Sequence, residues 1–281
     1  MNAEKTDYDL LYNPRMTVKG YEEVFARWDR DSERARARLD CYLDVPYGAS
    51  SSETLDLFRA KGESRGLLMY IHGGFWRALD KKRFSFVAPA LVDAGITVAV
   101  VDYALCPSVQ VADIVMQMVQ ASAWLYRNGE NFGAPAARLA VCGHSAGGHL
   151  AAMLLACVWP KYSPDLPKNL VSGVLSISGL YDLTEIVKVP SVNGDVRLTE
   201  KSAIRVSPVF LPPATDAPLH TAIGTDEIEG FHIQNRLIAE RWSRVRRANI
   251  SCPGRNHFSV LDDLCDPQSP VFESVLELAG R

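Results

Sequence analysis

The sequence predicts an α/β fold, a mostly parallel central sheet with helices packed on both faces. Three observations lead there. Beyond residue 55, short runs of apolar residues alternate with longer segments of helical periodicity. The runs are continuously apolar rather than alternating, as in strands buried on both faces. No Gly/Ser linker, repeat or low-complexity tract divides the 281 residues, a length within reach of one large domain. We expect a single domain over residues 1–281, with a charged N-terminal extension over 1–45 and a Pro-rich insertion over 185–216.

The expected strands, in order, are Leu55–Ala60, Leu67–Ile71, Ile96–Val101, Leu139–Cys142, Gly173–Ser178, Leu219–Ile223 and Ala248–Cys252. Between them, Val111–Tyr126 places Val111, Ile114, Val115, Met118 and Leu125 on one helical face, with Asp113 and Gln117 on the wet side. His232–Arg247 reads the same way through Ile233, Leu237, Ile238, Trp242 and Val245. A small-residue helix is expected over Ala146–Val158. In the extension, Tyr21, Val24, Phe25 and Trp28 fall at helical spacing. Extension and insertion both read as decorations of the kind that cover active sites.

Composition excludes several classes of function. Hydrophobic residues make up 47% and charged residues 22%, and 30 Lys+Arg against 33 Asp+Glu leave a net charge of −3. That balance offers no footprint for nucleic acid or an anionic membrane. The longest apolar run, Leu150–Trp159, is too short to span a bilayer, and the polar, acidic N-terminus carries no signal-peptide pattern. Six cysteines without a CxxC pair suit a reduced, cytoplasmic protein. Arg27, Arg30, Arg34, Arg36 and Arg38, and likewise Arg236, Arg241, Arg244, Arg246 and Arg247, read as solvated helix faces. A small-molecule substrate is the expected partner, and a homodimer is left open.

The chemistry is concentrated in Gly143-His144-Ser145-Ala146-Gly147. An apolar strand runs into this G-x-S-x-G and a helix follows it, the strand–turn–helix of a nucleophile elbow. Ser145 is therefore the expected nucleophile, with the helix N-terminus favouring negative charge beside it. Upstream, His72-Gly73-Gly74-Phe75-Trp76 follows a strand. A loop of this type aims backbone N–H groups at a tetrahedral oxyanion. Gly74, Phe75 and Ala146 are the expected donors, with Gly73 allowing the turn.

Such an elbow is accompanied by the order serine, acid, histidine. Of six histidines, His257 lies in a loop after the last strand and is the expected base. His144 precedes the nucleophile and is expected to point away from its hydroxyl while walling the pocket. His149 is expected to pack against the sheet. The acid should follow Leu219–Ile223, where Asp226 and Glu227 are equally placed by spacing. Trp76 and Trp28 are expected to wall the pocket with His144. Phe75 and Trp76 together are expected to confine the acyl group, and the Tyr21–Phe25–Trp28 stripe to pack over its mouth. No metal or organic cofactor is expected, since His144 and His149 lack a third ligand.

These motifs resemble the arylformamidase (kynurenine formamidase) family of α/β-hydrolases. The resemblance runs through Tyr12-Asn13-Pro14-Arg15, the HGG-x-W run 72–76, Tyr103–Pro107, Gly143–Leu150, Ser178–Leu183, Ser207–Pro212 and Asn256-His257-Phe258. It implies an α/β-hydrolase fold with Ser145 and His257 in the roles already given. Counting back from Phe231 and Gln234, its register places the acid at Glu227, where family members usually carry Asp. Glu227 is thus preferred and Asp226 comes second. The implied reaction is hydrolysis of an N-formyl arylamine such as N-formyl-L-kynurenine to formate and the free amine. The alternative is a broad-range short-chain carboxylesterase or amidase of the same fold.

Overall fold

A computed structural model describes residues 6–135 and 139–280 of the chain; residues 1–5 of the polar N-terminus lie outside it. Eight strands form one sheet: β1 (Cys41–Pro46), β2 (Thr54–Phe58), β3 (Gly66–Ile71), β4 (Ile96–Val101), β5 (Leu139–His144), β6 (Val171–Ile177), β7 (Leu219–Gly224) and β8 (Arg246–Cys252). Their spatial order is β1-β2-β4-β3-β5-β6-β7-β8. β1 pairs antiparallel with β2 and β2 with β4, and every pairing from β4 to β8 is parallel. All seven expected strands occur. β1 is an additional strand at the end of the expected N-terminal extension, and it runs one residue past it.

The helices that cover the sheet are α1 (Tyr21–Arg38), α2 (Ala88–Asp93), α3 (Val111–Asn128), α4 (Ala146–Leu155), α5 (Glu229–Arg241) and α6 (Pro270–Gly280). Side chains alternate across a strand, so β3 sends Leu67, Met69 and Ile71 to one face and Leu68 and Tyr70 to the other. The first face is covered by α3, α4 and α5 through Ile114, Met118, Leu150, Leu154 and Ile238. The second is covered by α1, α2 and α6 through Phe25, Trp28, Leu91, Val271 and Val275. α1 carries Glu22 and Glu23 in its first turn and Arg36 and Arg38 in its last, the charge order that suits the helix dipole.

Two expected helices run too long. α4 stops at Leu155 rather than Val158. α5 stops at Arg241, and Arg246 and Arg247 open β8 instead of lying on a helix face. Trp242 and Val245 are buried because they fill the turn between α5 and β8, and the Trp242 indole N–H donates to the Leu211 carbonyl at 2.9 Å. Their spacing mimics a helix that the chain has already left. Within 185–216 the chain forms short helices at Pro190–Val196 and Glu200–Arg205. Among the described residues, no helix is long and apolar enough to cross a membrane.

Candidate active site

β5 delivers Ser145 to the C-terminal edge of the sheet, and α4 begins at the next residue. Ser145 has φ 58° and ψ −120°, a conformation that costs an L-residue energy and persists only where the surroundings impose it. Here they do. A Cβ on Gly143 would lie 2.1 Å from the Gly147 carbonyl oxygen, and one on Gly147 would lie 2.0 Å from that of Ile71. Only glycine fits at either flank. The Ser145 side chain makes no capping hydrogen bond to α4, so its hydroxyl is not spent on holding the helix.

The loops after β7 and β8 bring two further groups to this edge. His257 Nδ1 lies 2.7 Å from Glu227 Oε2, and both side chains are buried. The other carboxylate oxygen of Glu227 accepts from the Gly224 N–H at 3.0 Å and from the Ser178 hydroxyl. Asp226 is exposed and its carboxylate accepts from the Thr225 hydroxyl. The register that singled out Glu227 has a physical basis. Phe231 lies against the His257 ring with centroids 4.1 Å apart. Gln234 Oε1 accepts from the N–H groups of Tyr181 and Asp182, both at 2.7 Å. Ser178 is a site residue that sequence reasoning missed; a serine after a strand carries no signal of the carboxylate it will meet.

Ser145, His257 and His144 line one cavity of about 40 Å³. Among the described residues no hydrogen bond joins the Ser145 hydroxyl to His257. In unliganded hydrolases this contact is often long and tightens with substrate. His144 bonds through Nε2 to the His257 carbonyl oxygen at 2.8 Å. Burial, reinforced by the neighbouring His257, holds its pKa well below the ordinary value, so His144 stays neutral.

The loop after β3 forms the opposite wall. Gly73 packs so closely that a Cβ there would meet Ser145 Cβ at 3.2 Å. Gly74 has φ 113°, and its added Cβ would fall 2.0 Å from the Ala78 carbonyl oxygen. Phe75 and Trp76 follow, both with positive φ. Among the described residues, no acceptor takes the N–H of Gly74 or Phe75. Phe75 lines the cavity. Trp76 does not, contrary to expectation. It is fully buried, and its indole N–H donates to His149 Nδ1 at 3.2 Å. A buried indole N–H needs an acceptor, and His149 supplies it from beneath the loop. His149 in turn bonds through Nε2 to the Val206 carbonyl, tying the elbow helix to the insertion rather than simply resting on the sheet.

The N-terminal segment closes the cavity. Asn13, Pro14 and Arg15 line it together with Phe25 and Trp28 of α1. Phe25 stacks on Trp28 at 5.1 Å and meets Phe258 edge-on at 5.2 Å. Tyr21 packs on Phe258 as well. Segment 185–216 contributes no lining residue among those described, and acts instead as a buttress. Asp195 pairs with Arg77 of the loop after β3, and the Asn13 amide donates to the Ser191 hydroxyl.

Comparison with known proteins agrees with this architecture. Residues 68–232 match a family described as having the alpha/beta hydrolase fold. A kynurenine formamidase of Danio rerio is 30% identical over 261 residues, covering 89% of this chain and 86% of that protein. One from Salmo salar is 29% identical over 260 residues with the same coverage. A crystal structure of a provisionally assigned thioesterase from Silicibacter sp. superposes with a TM-score of 0.84 at 27% identity, covering 98% of this chain and 99% of that one. The chain is a hydrolase and belongs to the arylformamidase family of α/β-hydrolases.

Proposed function

We propose that this protein hydrolyses the formamide bond of N-formyl arylamines such as N-formyl-L-kynurenine, with Ser145, His257 and Glu227 as its catalytic triad. The observation that carries the reading is the 2.7 Å contact of Glu227 with His257 Nδ1, beside a strained serine that shares a narrow aromatic cavity with that histidine. His257 takes the Ser145 proton at Nε2 as Oγ attacks the formyl carbon. Glu227 fixes the tautomer and stabilises the imidazolium. The N–H groups of Gly74, Phe75 and Ala146 hold the oxyanion. His257 then protonates the departing arylamine, and water attacks the formyl-enzyme to release formate. Neutral His144 beside His257 keeps a second positive charge away from the imidazolium as it forms. The substrate is supported by the kynurenine formamidase relatives, each named for that activity.

The test is formate release from N-formyl-L-kynurenine by the wild type and by Ser145→Ala. Loss of release in the variant, with the fold unchanged by circular dichroism, supports the reading. Undiminished release would remove Ser145 from the mechanism. A broad-range short-chain carboxylesterase or amidase is the second reading, supported by a Mycobacterium tuberculosis protein named an esterase that is 30% identical over 145 residues, 49% of this chain.

A further inference from the structure

Two arginines line the active-site cavity, Arg15 and Arg77, and no carboxylate does among the described residues. Arg77 is neutralised by its pairing with Asp195. Nearby Arg83 holds Asp29 through two bonds of 2.7 and 2.8 Å. Arg15 pairs with no carboxylate among the described residues. Its guanidinium sits 5.5 Å from the centroid of the Phe25 ring, and that of Arg83 sits 5.1 Å from the same centroid. Partial burial lowers the Arg15 pKa; Tyr21 opposes this and the charges of Arg77 and Arg83 add to it. An arginine remains charged in a protein all the same. The cavity mouth therefore holds one positive charge without a carboxylate partner among the described residues, on a side chain that solvent still reaches, beside Phe25, Trp28 and Phe75.

We propose that Arg15 is the residue that receives the carboxylate of the substrate and so sets the preference for a carboxylate-bearing aryl formamide over a neutral one. The proposal rests on the formamidase reading above. A planar guanidinium matches a carboxylate with two parallel N–H···O bonds. One free positive charge suits a monoanion, whereas a phosphate dianion would need a second, and Arg77 is already neutralised. The aromatic side chains beside Arg15 supply a surface for the aryl ring, which places ring and anion at one mouth. Arg15 is then a specificity residue that takes no part in bond cleavage.

The experiment uses two formanilides that differ only in a ring side chain ending in carboxylate or carboxamide, with a matching pair of phenyl formates. The wild type should favour the carboxylate roughly 10- to 100-fold in kcat/KM, the range for a charge-assisted hydrogen bond. That preference should shrink as salt is raised. In Arg15→Gln the carboxylate-to-carboxamide ratio should fall towards one, with the loss in KM, and Arg15→Lys should restore part of it. Equal kcat/KM for the two wild-type anilides, or an unchanged ratio in Arg15→Gln, would overturn the proposal. If neither anilide turns over while the formates do, the formamidase reading fails. The ratio read on the formates then decides the role of Arg15 separately.

Discussion

At the scale of single residues, the decisive choice is between two adjacent carboxylates. Glu227 and Asp226 were indistinguishable by spacing, because both follow β7 directly. Their surroundings separate them: Glu227 is buried with bonds to His257, Gly224 and Ser178, while Asp226 faces solvent. Glu227→Gln should lower kcat by up to about 10⁴, the loss known when a triad carboxylate becomes an amide. Asp226→Asn should stay within about threefold, as its carboxylate reaches neither the cavity nor His257. Steady-state kinetics of both variants check this, and the reverse ranking would assign the role to Asp226. The elbow is legible in the sequence because much of its requirement is local: a Cβ on Gly143 would meet the Gly147 carbonyl four residues on, although Gly147 itself is held by the Ile71 carbonyl of β3. Trp76 departs from its expected place because its partner, His149, lies 73 positions along the chain, and nothing local to 72–76 tells an indole that walls a cavity from one that props up the loop.

Among secondary-structure elements, the sequence spoke most clearly where both faces are buried. β3, β4 and β5 read as unbroken apolar runs, and every residue of the three is buried. β1 stayed silent because it is an edge strand with most of its residues exposed or partly so, which leaves no apolar pattern to detect. β8 begins two residues before its expected start for the same reason: only its last residue is fully buried. α1 was legible as a stripe, and the stripe lies over the site as expected. Phe25 is nearly buried and contacts Trp28 and Phe258 at the cavity wall. Phe25→Ala should therefore cost about 3 kcal/mol, the low end for a large aromatic because the site can partly refill with water. It should also widen acyl selectivity. Urea midpoints with the m-value held constant measure the first effect. A cost below about 0.5 kcal/mol would mean that α1 is a loose attachment rather than a wall of the cavity.

For the whole molecule, two of the five buried histidines, His149 and His144, make stability depend on pH, and burial lowers His220 in the same direction. Burial pushes the His149 pKa down to about 4, and His144 is lowered as well. Both are neutral when folded but take up a proton near pH 6.5 when unfolded. Their stabilisation is complete above about pH 6.5 and is lost as pH falls towards 4. For His149 alone the loss across that window is on the order of 3 kcal/mol. Denaturation at pH 7 and pH 5 should show this slope, and His149→Gln should flatten it; an equal slope in the variant would place the acid sensitivity elsewhere. The same burial has a functional side, because His149 props the loop that carries Phe75 into the cavity from one wall while α1 closes it from the other. We propose that this enclosure is built for a formyl group. The most direct measurement is kcat/KM for an anilide series with formyl, acetyl and butyryl groups under one set of conditions. A crowded acyl site costs about 1–3 kcal/mol when overfilled, so rates should fall roughly 5- to 150-fold from formyl to acetyl and further to butyryl. Rates that rise with chain length, as expected where each added methylene gains about 0.8 kcal/mol by burial, would contradict the claim and make the protein a short-chain esterase.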